Sequence, residues 1–288
     1  MQITLLPDRV KAAWERCDKK EITYEQFQAI EALEIRRYQK LWTEALILSE
    51  YTDLYESLLT EIWDYTGLPI EEIRSWCDQA VEKIARSWEL SRPQGREQIE
   101  KWYDSALYIY ELMAWHSLRN DNTPLAYVGA LEFAKRVGIK NHFDFGSGVG
   151  SGTILFHRHG IQSWMGDIST LLLEFARKRA VKRGCLNSTI WTGLEGIWPY
   201  LKNQFDFITA MEVFEHLYDP IQTLENLHGA LVSGGYLFIQ LSSCRPDPER
   251  PQHIVTDPQP IFKRLSELGM VKVWSDGWVW GHDCFQKQ

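Results

Sequence analysis

The feature that most constrains the fold of this chain is a short glycine-rich run, DFGSGVG at residues 144–150. An apolar segment precedes the run, and a pattern typical of a helix follows it. Glycine permits the sharp turn between a strand and a helix, and its missing side chain lets a ligand approach the backbone at the helix N-terminus. The run therefore predicts an open α/β fold that binds a ligand directly after its first strand.

The spacing of these glycines distinguishes between two kinds of nucleotide-binding loop. A dinucleotide fingerprint has the form GxGxxG, with an acidic residue about twenty positions later. This chain has GxGxG from Gly146, and Asp167 follows Gly150 by 17 residues, at the end of a second apolar run. The spacing disfavours nicotinamide-dependent redox chemistry. It predicts that Asp167 accepts hydrogen bonds from both hydroxyls of a ribose; the alternative role for Asp167 is a helix N-cap.

Apolar periodicity divides the chain into two parts. Up to about residue 122 apolar residues recur at helical spacing, which predicts four or five helices and no strand. Beyond residue 122 short apolar runs alternate with helical patterns, which predicts parallel strands joined by right-handed crossovers. The predicted strands cover residues 142–145, 163–166, 189–192, 205–210, 236–241, 271–274 and 278–285, and the predicted helices 151–159, 169–183, 219–231 and 258–268. We therefore predict an all-helical domain at 1–122, followed by a doubly wound α/β domain at 123–288 with a seven-stranded, mostly parallel sheet.

The predicted helical domain is rich in aromatic residues, since seven of the 13 Trp and eight of the 12 Tyr precede residue 123. One interpretation is a cap that encloses a substrate and lines its pocket with rings. The other is that the rings pack a helical bundle, which is the commoner role of Trp and Tyr at helical spacing. We expect packing for most rings, and expect a few residues near the end of the last helix, such as Trp115 and His116, to face the active site.

Composition disfavours several classes of function. The formal charge is −8 and no long cluster of Lys and Arg occurs, so a nucleic-acid partner is not expected. No apolar run approaches the roughly 18–20 residues that cross a bilayer, and the first residues lack the pattern of a secretory signal, so we expect a cytoplasmic protein. The five Cys are scattered without a CxxC pair, which argues against a disulfide framework or a cysteine zinc site.

Four ordered motifs in the second part resemble those of the class I methyltransferases that use S-adenosylmethionine (SAM). They are DFGSGVG, the acidic Asp167, FDFITAMEVFEHLYDP from residue 205, and GGYLFIQLSS from residue 234, and the resemblance covers roughly 125–288. It implies SAM as the cofactor, with the backbone at Gly146 and Gly148 beside the methionine moiety and Asp144 ordering its amino group. The implied cofactor-binding residues are Asp144, Gly146, Ser147, Gly148, Gly150, Asp167, Ile168, Leu194 and Met211.

One position departs from the pattern of these methyltransferases. Many relatives carry an acidic residue after the third strand, where it reads the adenine amine. This chain has Thr192-Gly193-Leu194 there, so adenine binding would fall to backbone groups or to the neighbouring Glu195.

A candidate metal site follows the fourth predicted strand, at the sheet edge where open α/β folds bind ligands. Glu212, Glu215 and His216 form an ExxEH pattern, which places its members on one face if the segment turns helically. A proline-rich loop, residues 242–253, ends at His253 and could return over the same cleft. Mixed oxygen and nitrogen ligands favour Mn, Fe, Co or Zn, and Mg is also chemically possible.

The same segment resembles two groups of metal-using O-methyltransferases, those of ubiquinone biosynthesis and those that methylate the 2′-hydroxyl of small RNAs. That resemblance implies Glu212, Glu215, His216 and His253 as metal ligands. Many metal-free relatives keep a glutamate–histidine pair at this position as well, where it caps a helix and shapes the floor of the pocket. Both interpretations stay open on the sequence.

The catalytic candidates are His216, His253 and Glu212. A bound metal would deprotonate a substrate hydroxyl by coordination, and without a metal one of the two histidines would act as general base. We expect methylation of oxygen on a small, aromatic or partly apolar molecule. The alternatives are metal-free methylation of nitrogen or carbon on a small molecule or peptide, and a non-catalytic SAM-binding subunit that docks through its helices.

Overall fold

The structure is a computed structural model, and it describes residues 3–105, 107–114, 123–185, 190–192 and 201–288. The described residues before residue 115 form seven helices where the sequence predicts four or five, because short turns split the longer periodic stretches. Their bounds are α1 Leu6–Asp18, α2 Tyr24–Leu46, α3 Leu54–Thr66, α4 Ile70–Asp78, α5 Ala80–Ser91, α6 Gly95–Tyr103 and α7 Leu107–Met113. In the described part of the chain, no helix is both long and apolar enough to cross a membrane.

The remaining elements alternate between strands and helices, as predicted. The helices are α8 Ala126–Val137, α9 Ser151–Arg158, α10 Thr170–Lys182, α11 Pro220–Ala230 and α12 Gln259–Glu267. The strands are β1 Asn141–Phe145, β2 Gln162–Asp167, β3 Ile190–Thr192, β4 Phe205–Ala210, β5 Leu231–Gln240, β6 Met270–Ser275 and β7 His282–Lys287. The described strands form one seven-stranded sheet in the order β3-β2-β1-β4-β5-β7-β6.

The sheet is parallel from β3 to β5, and β7 pairs antiparallel with both β5 and β6. The prediction of a mostly parallel, doubly wound sheet is confirmed. The chain leaves β1 toward β2 on one side and returns to β4 on the other, so the strand order reverses between β1 and β4. Ligands of open α/β sheets bind in the crevice at this reversal, beyond the carboxyl ends of the strands.

The last predicted strand, residues 278–285, is misplaced at its start. Asp276 accepts hydrogen bonds from the backbone N–H groups of Trp278, Val279 and Trp280, at 2.6–3.0 Å. The carboxylate therefore holds these apolar residues in a turn, and β7 begins only at His282. Alternating apolar side chains alone do not distinguish such a turn from a strand.

The helices before residue 115 pack directly on the α/β part. Buried residues of α1 and α2 share one cluster with α8, α9 and Trp280. Those of α3, α4, α5 and α7 share another with Val149, Leu172 and Phe175. The domain boundary predicted at residue 122 lies outside the described residues, as do Trp115 and His116.

A buried ion cluster joins α3 to α10. Glu61 accepts hydrogen bonds from Arg183 Nη1 at 2.5 Å, from Arg183 Nη2 at 2.8 Å and from Arg179 Nε at 3.4 Å. Arg179 Nη1 also donates to the Val149 carbonyl at 2.6 Å and to Ser151 Oγ at 2.8 Å. The cluster thus connects the helical part to the start of α9, immediately after the glycine run.

Candidate active site

The glycine loop, residues 146–150, is hydrogen-bonded to the acidic residue at the end of β2. The backbone N–H of Gly148 donates to Asp167 Oδ2 at 2.8 Å, and that of Ser169 donates to Oδ1 at 2.9 Å. Ser169, rather than Asp167, caps α10 by accepting from the Leu172 N–H, so the N-cap alternative for Asp167 is wrong. Burial raises the pKa of Asp167, and these backbone donors oppose the shift.

Two glycines of the loop are required by their backbone conformation and by close packing. Gly146 and Gly148 have φ values of 69° and 50°, in the left-handed region that favours glycine. A Cβ at Gly146 would lie 2.4 Å from Val213 Cγ2, and one at Gly148 would lie 2.7 Å from Leu112 Cδ1. The loop is therefore packed between α7 and the segment that follows β4.

Asp144 lies beneath the glycine loop and is fully buried. Its carboxylate accepts hydrogen bonds from three hydroxyls, Thr209 at 2.8 Å and Thr153 and Tyr127 at 3.2 Å each. Burial raises the pKa of Asp144 to about 6, although these hydroxyl donors lower it. Asp144 is not among the cavity-lining side chains, whereas the Tyr127 ring that contacts it is.

A cavity of about 910 Å³ lies over the carboxyl ends of the strands. The structure brings ten of the predicted site residues to its wall: Gly146, Ser147, Gly148, Asp167, Ile168, Met211, Glu212, Glu215, His216 and His253. Gly150 instead lies behind the loop, where an added Cβ would be 3.0 Å from Ala176 Cβ. Leu194 and the adjacent Glu195 lie outside the described residues.

The ExxEH segment turns sharply at its start. Glu212 has a φ of 52°, in the left-handed region that is uncommon for residues other than glycine. A 3₁₀ turn, Phe214–His216, follows. Because of this turn, Glu215 and His216 lie beside each other in the cavity wall. Glu212 also lines the cavity, but it lies outside the cluster that these two residues form with His253.

Glu215, His216 and His253 form a cluster suited to a metal ion. One potential ligand atom from each lies within 4.8 Å of the others, and this group comes from a search of the described residues alone. The proline-rich loop does return to the cleft, because the Val255 N–H donates to the Glu215 carbonyl at 3.0 Å. The His216 and His253 rings meet edge to face, with centroids 4.7 Å apart.

The electrostatics of this cluster favour the neutral forms of Glu215 and His253 in the absence of a cation. Burial, followed by the negative charge of Glu212, raises the pKa of Glu215 to about 8. Burial and the positive charge of Arg250 lower the pKa of His253 to about 4. Glu215 Oε2 and His253 Nδ1 are buried and have no hydrogen-bond partner among the described residues. Buried polar atoms of this kind call for a partner, and a bound cation would supply one.

A further part of the cavity wall comes from α6 and α7. Tyr103, Tyr108, Glu111 and Leu112 line it, and Arg250 approaches from the proline-rich loop. Burial raises the pKa of Glu111 to about 7, and the charge of Arg250 opposes this. These residues were not predicted as part of the site from the sequence. The four other than Arg250 lie on two successive helices, and only the close packing of α7 on the glycine loop shows that they meet the site.

The strand order, the reversed β7 and the loop bonded to Asp167 agree with the resemblance to class I SAM-dependent methyltransferases. Residues 143–239 match the family described as a methyltransferase domain. The matched residues run from β1 to β5 and include the glycine loop, Asp167 and the ExxEH segment.

Comparison with known proteins gives distant relatives. The ubiquinone biosynthesis O-methyltransferase of Vibrio cholerae serotype O1 is 27% identical over 141 residues, which cover 49% of this chain and 58% of that relative. The match thus spans little more than half of the relative's length. A SAM-dependent methyltransferase from Aquifex aeolicus has a TM-score of 0.44 and 21% identity, covering 54% of this chain and 86% of its own. Phosphoethanolamine N-methyltransferase 2 of Haemonchus contortus has a TM-score of 0.47 and 20% identity. The match covers 62% of this chain and 45% of that enzyme.

Replacing Asp167 with alanine is expected to weaken SAM binding by at least about tenfold, equivalent to about 1.4 kcal/mol. The change removes both the proposed ribose acceptor and the partner of the Gly148 N–H. Calorimetric titration with SAM measures the effect. Asp78→Ala, at an exposed position on α4, is the matched control and should bind SAM as the wild type does. Equal affinities in the two variants would contradict the role of Asp167.

Proposed function

We propose that this chain is a SAM-dependent methyltransferase that methylates an oxygen of a small, partly apolar molecule, assisted by a divalent metal. The observation that carries the proposal is a single cavity with two chemically distinct ends. One end holds the glycine loop bonded to Asp167, and the other holds the cluster of Glu215, His216 and His253. A methyl donor and an acceptor bound at these ends would share one enclosed space.

The first end has the groups that SAM requires. Asp167 offers carboxylate oxygens to a ribose, and the bare backbone at Gly146 and Gly148 permits close approach of the amino-acid moiety. Ile168, which is 41% exposed, offers an apolar surface beside Asp167 on which an adenine ring can pack. When bound, SAM supplies a methyl group that is already activated by its positive sulfur, so the chain has only to align and deprotonate the acceptor.

The second end has donors that fit a divalent cation. Glu215, His216 and His253 would hold it, with Glu212 close enough in the wall to raise the pKa of Glu215. One carboxylate and two imidazoles match the ligand preferences of Zn, Fe, Co and Mn better than those of Mg. A bound cation would lower the pKa of a coordinated hydroxyl and so prepare an oxygen nucleophile near neutral pH.

The residues around the cluster have roles of their own in the proposed reaction. Tyr103 and Tyr108 line the cavity and would pack against an aromatic or apolar acceptor, and the proline-rich loop adds Arg250, Gln252 and His253 to the cavity wall. In the metal-free alternative, His216 would instead accept the proton of the acceptor, directly or through a water molecule. The name of the Vibrio cholerae relative, an O-methyltransferase of ubiquinone biosynthesis, further supports an oxygen acceptor on a partly apolar molecule.

The experiment that tests the proposal uses SAM with a labelled methyl group. The purified protein is incubated with this SAM and a metabolite extract, with and without EDTA, and labelled products are separated by size and polarity. We expect label in a small molecule only in the absence of EDTA. Equal labelling with EDTA would reject the metal, label in a peptide would reject the small acceptor, and SAM binding without any product would reject the enzymatic function.

A further inference from the structure

The hydroxyl of Tyr103, at the end of α6, contacts two groups of the candidate active site. It donates a hydrogen bond to the backbone carbonyl of Gln252 at 2.8 Å, and its oxygen lies 3.0 Å from His216 Nδ1. The Tyr103 and His216 rings also meet edge to face, with centroids 5.4 Å apart. Tyr103 therefore connects the helical part to both the 3₁₀ turn and the proline-rich loop.

The number of available protons fixes the direction of both hydrogen bonds. A phenol has one proton to donate, and a backbone carbonyl can only accept. Since the Tyr103 proton is given to Gln252, the Tyr103 oxygen must act as the acceptor toward His216. His216 Nδ1 therefore carries a hydrogen, and in the neutral ring Nε2 then carries the lone pair.

We propose that Tyr103 is a positioning residue that holds His216 as the Nδ1–H tautomer, so that the Nε2 lone pair serves as the base or metal ligand. A histidine ligand or base commonly has its tautomer set by the partner of its other nitrogen. Here that partner comes from the helical part, which thereby contributes to the chemistry as well as to the cavity wall. The function of the lone pair rests on the proposed methyl transfer, whereas the tautomer itself does not.

The test is a measurement of ring nitrogen chemical shifts in ¹⁵N-histidine-labelled protein treated with EDTA. The pH is held well above the ordinary imidazole pKa of about 6.5, so that the ring is neutral. The His216 signals are assigned as those missing from His216→Ala. We expect the wild type to show the Nδ1–H tautomer at His216, and Tyr103→Phe to show a substantial Nε2–H population.

The control is Tyr108→Phe, which removes a hydroxyl from a neighbouring ring whose centroid lies 5.8 Å from that of Tyr103. The Tyr108 hydroxyl has no hydrogen-bond partner in the described part of the chain, so its loss should leave the His216 tautomer unchanged. An Nε2–H tautomer in the wild type, or an unchanged Nδ1–H tautomer in Tyr103→Phe, would overturn the proposal. If the Phe variant fails to fold, the wild-type spectrum still tests the tautomer, which the proposal requires to be Nδ1–H.

A titration with Co²⁺ separates this inference from the proposed function. We expect Tyr103→Phe to bind Co²⁺ about tenfold or more weakly than the wild type, the usual cost of losing the partner of a metal-bound histidine. If the wild type shows the Nδ1–H tautomer yet binds no Co²⁺ and transfers no methyl group, the proposed function fails and the tautomer assignment stands. Co²⁺ binding that is equal in both proteins would reject the positioning role of Tyr103.

Discussion

Replacing His216 with alanine is expected to reduce methyl transfer by about 10²- to 10⁴-fold, the usual contribution of a general base. His216 lies in the cavity wall, between Tyr103 and the ring of His253. Its loss removes the proton acceptor in the metal-free reaction and one of three ligands in the metal-assisted reaction. SAM binding should change little, because the glycine loop and Asp167 form the other end of the cavity.

The measurement is the rate at which label enters the product found with the wild-type protein, together with calorimetric titration of SAM. His228→Ala is the matched control, since His228 lies on α11 and is not among the cavity-lining residues. We expect this control to retain wild-type activity. A rate for His216→Ala within tenfold of the wild type, or an equal loss of SAM affinity and rate, would contradict the proposed role.

Replacing Glu61 with alanine is expected to lower the free energy of unfolding by about 3–5 kcal/mol, the usual cost of removing one partner of a buried ion pair. Glu61 is the shared acceptor of Arg179 and Arg183, and all three side chains are 1% exposed. Without Glu61, two guanidinium groups would remain buried beside each other. Burial lowers the pKa of Arg179 to about 10, and Glu61 opposes that shift.

Urea denaturation followed by circular dichroism measures this loss. The matched control is Asp64→Ala, which breaks the ion pair between Asp64 on α3 and Lys182 on α10. That pair joins the same two helices, but its side chains are 37% and 34% exposed, so the control should cost only about 0–1 kcal/mol. Similar losses in both variants would show that the buried cluster does not hold the helical part on the α/β part.

The sheet is largely predictable from the sequence because its strands are short apolar runs separated by helical patterns. Prediction is weakest where local contacts or glycines, rather than apolar periodicity, determine the backbone conformation. Asp276 holds Trp278 and its neighbours in a turn, and β5 begins at Leu231 rather than at residue 236 because Gly234 and Gly235 interrupt its apolar pattern. Neither effect follows from hydrophobic periodicity.

The candidate site is predictable where its residues follow strands. The carboxyl ends of parallel strands meet at one edge, so the spacing of Asp167 and of Glu215 and His216 is enough to bring them to one cavity. The α6–α7 wall is different, because its place depends on how α7 packs against the glycine loop through Leu112. Tyr103 and Glu111 therefore become visible as site residues only in three dimensions.

The most direct test of the account is a calorimetric titration of the purified protein with SAM, with NAD as the comparison ligand. The glycine loop and Asp167 predict saturable binding of SAM at one site per chain and no heat from NAD. Saturable binding of NAD, or a titration in which SAM fails to bind, would contradict the assignment of this cavity to a methyl donor.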